Sequence, residues 1–86
     1  MKAVIQIQEK FSFTSVRWFK DQYEKALGKD IDVDFSGCKY LDSSALGMLL
    51  MLRDRAAPKT VTLVGCKGDV KKILEIAQFG KLFKIS

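Results

Sequence analysis

Histidine is absent from this sequence altogether. The commonest general base is therefore missing, which excludes Ser-His-Asp and Cys-His catalysis outright. Cysteine is nearly as scarce, with two residues, Cys38 and Cys66, far apart. They lack Cys-x-x-Cys spacing and an imidazole to complete a zinc site, so no metal and no cofactor is expected, and both are read as reduced, partly buried thiols. Proline occurs once, at Pro58, so no proline-rich linker interrupts the chain. No apolar run approaches the roughly 20 residues that cross a bilayer. The start, Met1-Lys2-Ala3-Val4-Ile5-Gln6, is broken by polar residues too early for a signal sequence. These absences point to a cytoplasmic location without membrane attachment.

What the chain does have is the composition of an ordinary globular protein. Hydrophobic residues make up 48% and charged residues 29% of its 86 residues, outside the regime of disordered chains. That length suits one domain, residues 1–86, as a monomer or weak dimer. The net charge is +5, but the lysines are scattered, and such charges mostly solvate a surface.

Periodicity divides the chain into alternating elements. Ala3 to Ile7 reads as a first strand, and an extended piece around Phe11-Ser12-Phe13 is expected to pair near it. From Thr14 the period becomes helical, with Val16, Phe19, Tyr23, Ala26 and Leu27 on one face and Gly28 ending the helix; Trp18 lies at the edge of that stripe. Asp30-Ile31-Asp32-Val33-Asp34-Phe35-Ser36 alternates as a strand with one apolar face, and a loop runs on to Asp42. A second helix starts at Asp42 or Ser43, its buried stripe read as Leu46, Leu49, Leu50 and Ala57, and it stops before Pro58. Thr60 to Val64 is a third strand, Asp69 caps a third helix carrying Val70, Ile73, Leu74 and Ala77, Gly80 ends it, and Leu82 to Ile85 has strand character. Strand-helix-strand alternation implies right-handed crossovers and an α/β domain with a mainly parallel, mixed sheet flanked by helices.

The informative stretch is Asp34 to Gly47, where a strand ends, a loop turns and a helix begins. Partner and ligand sites in α/β sheets gather at the carboxyl ends of strands. Two adjacent hydroxyls, Ser43 and Ser44, open the helix there, and free N–H groups with the positive end of the helix dipole favour a phosphoryl group at that place. The plainer alternative is that both serines only cap the helix.

Asp42-Ser43-Ser44-Ala45-Leu46-Gly47 resembles the Asp-Ser-Ser-Gly-Leu-Gly signature of the STAS family, the anti-sigma-factor antagonists, and Val33-Asp34-Phe35-Ser36-Gly37 resembles the strand that precedes it there. The likeness extends in order through Val61 to Gly65 and Val70 to Glu75 to Lys81-Leu82-Phe83. The chain departs from the family pattern at Ala45, which replaces a glycine, and in its short N-terminal segment. The resemblance implies a bacterial signalling protein that acts by partner switching in transcription regulation. Its second serine, here Ser44, would be phosphorylated by an anti-sigma factor with serine kinase activity and restored by a serine phosphatase. Asp34, Asp42 and Ser43 would support the phosphosite. Ala45, Gly47, Met48 and Met51 are read as facing the partner, Met48 and Met51 because Leu46, Leu49 and Leu50 suffice for one buried stripe; the alternative, that Met48, Met51 and Leu52 all belong to the core of so apolar a helix, stands beside it.

Rival readings are weaker. No Ser-x-x-Lys spacing or Gly-x-Ser-x-Gly elbow activates a serine, so an enzyme is not expected. A receiver domain needs an acidic pair after its first strand, which is missing. Lys67, Lys71, Lys72, Lys81 and Lys84 could form a basic face, which keeps a small nucleic-acid-binding or scaffold module as the alternative, but no helix-turn-helix or RNP-type aromatic motif accompanies it.

Overall fold

The computed structural model describes residues 2–86. In chain order its elements are β1 (Lys2–Gln6), β2 (Lys10–Phe11), a 3-10 turn (Phe13–Ser15), α1 (Val16–Ala26), β3 (Asp30–Asp34), β4 (Tyr40–Leu41), α2 (Ser43–Ala56), β5 (Val61–Val64), α3 (Gly68–Ile76), a second 3-10 turn (Phe79–Lys81) and β6 (Lys84–Ile85). The main sheet has the order β1-β3-β5-β6, and β2 pairs separately with β4. Every strand pairing among the described residues is parallel, in keeping with the mainly parallel sheet expected from the sequence. The class is α/β.

Alternation explains which side of the main sheet carries the core. Ile31, Val33 and Phe35 are fully buried, as is Leu63 on β5, while Asp32, Asp34, Thr62 and Val64 between them stay partly open. Side chains of a strand alternate across its faces, so the apolar set lies against the helices and the polar set looks away from them. Phe19 and Tyr23 of α1, Leu49 and Leu52 of α2, and Val70 and Leu74 of α3 all join one cluster with Ile31, Val33 and Leu63. Burying each such side chain is worth about 1.5–3 kcal/mol before the entropy of ordering it. On the open face, Lys2 pairs with Asp32 at 3.5 Å.

Several boundaries differ from the sequence reading. The piece after β1 does not pair with it: Lys10–Phe11 lies beside Tyr40–Leu41, and the Glu9 carbonyl accepts N–H bonds from Lys39 and Tyr40. Phe11 is thereby drawn into the core, its ring 4.9 Å from Phe19 and 6.1 Å from Phe35. Phe13 to Ser15 forms a 3-10 turn before α1 begins. Gly28, at φ +90, ends α1 in the conformation that favours glycine. At the end of α3 that role falls to Gln78, at φ +60, and Gly80 lies inside the following 3-10 turn.

The largest revision concerns α2. Its buried positions are Ala45, Met48, Leu49, Leu52 and Ala56, whereas Leu50 is exposed and Leu46 only partly covered. The helix is apolar almost all round from Ala45 to Leu52, so the period alone selects no phase. The polar positions decide it, because Ser43, Ser44, Gly47 and Asp54 share the face turned to solvent.

Candidate functional site

Asp42 determines how α2 begins. It is the N-cap residue in extended conformation, and its Oδ1 accepts the Ala45 N–H at 3.0 Å. A side-chain acceptor at that position satisfies one of the N–H groups that a helix start leaves unpaired, worth about 1 kcal/mol. Its other oxygen, Oδ2, accepts the Phe13 N–H at 3.2 Å. One carboxylate thus caps α2 and fastens the 3-10 turn against it.

Capping by Asp42 leaves both serines free for other work. Ser43 and Ser44 are the first two residues of α2, and both are exposed. Their N–H groups have no partner among the described residues, because Ala45 and Leu46 are the donors to Asp42. An exposed hydroxyl on a first turn with two unpaired N–H groups beside it can carry a phosphoryl group without displacing an existing bond.

The remaining site residues separate into two groups. Gly47 and Met51 follow Ser44 at i+3 and i+7 on the exposed face, with Met51 57% accessible. Ala45 and Met48 do not belong to that surface: Ala45 is wholly buried and Met48 is 6% exposed. Their assignment to a partner-facing flank is corrected, for both side chains are buried in the core, Ala45 about a quarter of a turn round the helix from Ser44 and Met48, at i+4 from it, on the edge where the exposed face turns under. Asp34 is also placed elsewhere. It stands among the partly open positions of β3, and its Oδ1 accepts the Ser36 N–H at 2.9 Å. Gly65, at φ +70, lies so close that an added Cβ would sit 2.9 Å from Asp34 Oδ1 and from the Ser36 nitrogen. Asp34 therefore shapes the turn after β3, and no hydrogen bond joins it to the start of α2.

Two exposed aromatic residues that periodicity did not single out lie on the segments joined to Asp42, the cap of α2. Phe13 is 69% exposed on the turn that Asp42 holds, and Tyr40 is 50% exposed on β4, two residues before Asp42. The Lys10 ammonium sits 5.8 Å from the Tyr40 ring centre, within cation–π reach. Val16, at the start of α1, adds further open apolar surface. Trp18 packs part-buried against the core. The signal for Phe13 was available in sequence as an aromatic flanked by Ser12, Thr14 and Ser15, a turn rather than a strand.

The thiols take no part in this surface. Cys38 is buried and Cys66 partly so, both unpaired. Burial raises both, and Cys66 is pushed up to about 11, first by desolvation and then by the neighbouring Cys38. Thiols held in the neutral form are poor nucleophiles. No helix of the described residues is long and apolar enough to cross a membrane.

Comparison with known proteins agrees with this architecture. The family profile described as "Mlab, STAS domain" matches residues 1–84. A STAS-domain containing protein of Pseudomonas aeruginosa (strain UCBPP-PA14) is 46% identical over 86 residues, spanning 95% of this chain and 85% of that protein. Among solved structures, the anti-sigma factor antagonist SpoIIAA in its unphosphorylated form superposes with a TM-score of 0.75 at 18% identity, over 99% of this chain and 78% of that one. A sulfate transporter family protein from Wolinella succinogenes gives 0.80 at 12% identity, over 98% and 75%. At such identities these two structures speak for the fold alone.

Proposed function

The chain belongs to the STAS-domain family, and from that membership we propose that it is a protein-binding switch controlled by phosphorylation of Ser44. The carrying observation is the start of α2, where an exposed serine stands beside two unpaired N–H groups, shares the exposed helix face with Gly47 and Met51, and follows the Asp42 cap that holds Phe13. The partner in this reading is an anti-sigma factor with serine kinase activity. It transfers the terminal phosphoryl group of a nucleoside triphosphate to Ser44 Oγ, with loss of the hydroxyl proton and release of the diphosphate. A serine phosphatase reverses the modification by hydrolysis, returning the hydroxyl and inorganic phosphate. The domain contributes recognition, not catalysis.

Charge explains why the modification would act as a switch. A phosphoserine carries about −1.5 to −2 charge at pH 7. Within the domain, the N-terminus of α2 accepts it with a gain of about 0.3–1 kcal/mol, which offsets repulsion from Asp42. A partner packed on Ser44 has no such compensation and must bury or avoid a dianion, at a cost of several kcal/mol. Binding falls while folding stability changes little.

The test is phosphopeptide mapping of the chain isolated from its own cells, together with partner retention by the Ser44→Ala and Ser44→Asp variants. Phosphate on Ser44 and retention by Ser44→Ala alone are expected. Phosphate on Ser43 alone, or equal retention by both variants, refutes the reading.

A further inference from the structure

Asp42 makes two bonds that differ in strength and in what they hold. Ala45 N–H to Oδ1 is 3.0 Å long and part-buried inside α2. Phe13 N–H to Oδ2 is 3.2 Å long, exposed, and joins segments 29 residues apart in sequence. The bond inside the helix is further supported by the Asp42 carbonyl, which accepts from Ala45 at 3.1 Å and Leu46 at 3.4 Å. The bond to Phe13 is the more exposed of the two, and the nearest support beside it is the Asp42 N–H, which donates to the Phe11 carbonyl at 3.2 Å and holds the strand before the turn. The turn itself is closed by Ser15 N–H to the Ser12 carbonyl at 2.8 Å and by Ser12 N–H to Ser15 Oγ at 3.2 Å, and its base is held by β2 beside β4, so the turn stays formed and in place while the Phe13 end of it is fastened to the start of α2 by Asp42 Oδ2.

From this we infer that Asp42 is a positioning residue that couples the state of Ser44 to the placement of Phe13, an aromatic contact on the partner surface that phosphorylation releases. The inference rests on the proposed switch at Ser44 and names a means by which it is transmitted. A phosphoryl group on Ser44 places a second, larger negative charge on the same first turn as the Asp42 carboxylate. That carboxylate can move away only by giving up one of its two N–H partners, and the longer, exposed bond to Phe13 yields before the helix cap. Phe13 then loses its fixed position at the start of α2. An aromatic side chain is a strong anchor only when held in place, so phosphorylation removes an ordered contact as well as adding charge.

A carboxylate is required for this arrangement. Ala45 and Phe13 are met by different oxygens of Asp42, and asparagine in the same pose puts an NH2 group in place of one of them, so one of the two N–H donors then faces another donor. Asp42→Asn should therefore free the turn without any phosphate.

The experiment needs no partner protein. Phosphoserine is placed at position 44 during synthesis, and the exchange of the Phe13 amide proton with water is followed by NMR alongside that of Ala45. Expected is a rise of about tenfold at Phe13, the scale set by a charge of about −1.5 to −2 repelling a unit charge through water across one helical turn, with Ala45 little changed. Asp42→Asn should reproduce the rise in unmodified protein. The inference is overturned if the phosphorylated chain keeps Phe13 as protected as before, or if Asp42→Asn does. Because the phosphate is installed chemically, this outcome is separate from whether cells phosphorylate Ser44. A chain that loses its partner on phosphorylation with Phe13 unmoved would leave the switch standing and remove the coupling.

Discussion

Met48 and Met51 lie three residues apart on α2 and should respond to truncation in opposite ways. Met48 is 6% exposed and Met51 57%. Cutting Met48 back to alanine removes on the order of 100 Å² of buried apolar surface, about 2.5 kcal/mol at roughly 25 cal/mol per Å². The cavity left behind adds to this, and buried Met→Ala changes fall at about 2–5 kcal/mol. A chain of 86 residues has a total stability of about 4–13 kcal/mol, so Met48→Ala takes a large share of it. At ~4–8 °C per kcal/mol for a domain of this size, the melting temperature should fall by about 10–20 °C. Met51→Ala should stay within about 0.5 kcal/mol, as exposed substitutions do, and should weaken partner binding instead. Urea unfolding followed through the single tryptophan, Trp18, measures both. Equal losses for the two variants, or a loss below about 0.5 kcal/mol for Met48→Ala, would refute the phase assigned to α2.

Two further outcomes follow from the turns and thiols. Gly65→Ala should cost about 1–3 kcal/mol in urea unfolding, because its φ of +70 disfavours a side chain and the new Cβ would meet the Ser36 backbone nitrogen at 2.9 Å; a neutral result would show that the β3 turn can give way. The Cys66 thiol, raised to about 11 in the folded chain, holds its proton more tightly there than in the unfolded chain, where it titrates near about 8.5. Its contribution to stability is therefore complete below about pH 8.5 and lost as pH rises towards 11; Cys66→Ala should flatten the stability profile in that window, and an unchanged slope would contradict the burial of the thiol.

Much of the architecture is legible in the residues, for reasons that differ by element. β3 announces itself because Asp and apolar residues alternate without a break from Asp30 to Phe35, and one face of the sheet is open to water. α1 is equally plain, since Phe19, Tyr23 and Ala26 are buried on a helix whose remaining face is charged. The β2–β4 pair is invisible to periodicity: each strand has two residues, and their partners are fixed by tertiary contact across the core. The phase of α2 was misread by following its leucines, when the informative residues were the polar ones. At the site, Ser44 lies on an exposed first turn where the motif puts it, but no local pattern could show that Asp42 would reach Phe13, 29 residues away, because that bond depends on segments brought together by folding; the Asp34 bond to the Ser36 N–H, two residues on, is by contrast a local turn of the kind aspartate favours.

The parallel main sheet also constrains how the chain can assemble. Lys2 pairs with Asp30, Ile31 with Val61 and Thr62 with Lys84, so no two neighbouring strands of this sheet are joined by a hairpin. Each rung presupposes that the intervening segment, helix included, has already folded back, and the entropy of closing that long loop is met before the first inter-strand bond forms. β6, two residues long and continued by the Ser86 N–H bond to the Leu63 carbonyl, is held by the fewest bonds of that sheet, and its amides should exchange with water ahead of those of β3 and β5.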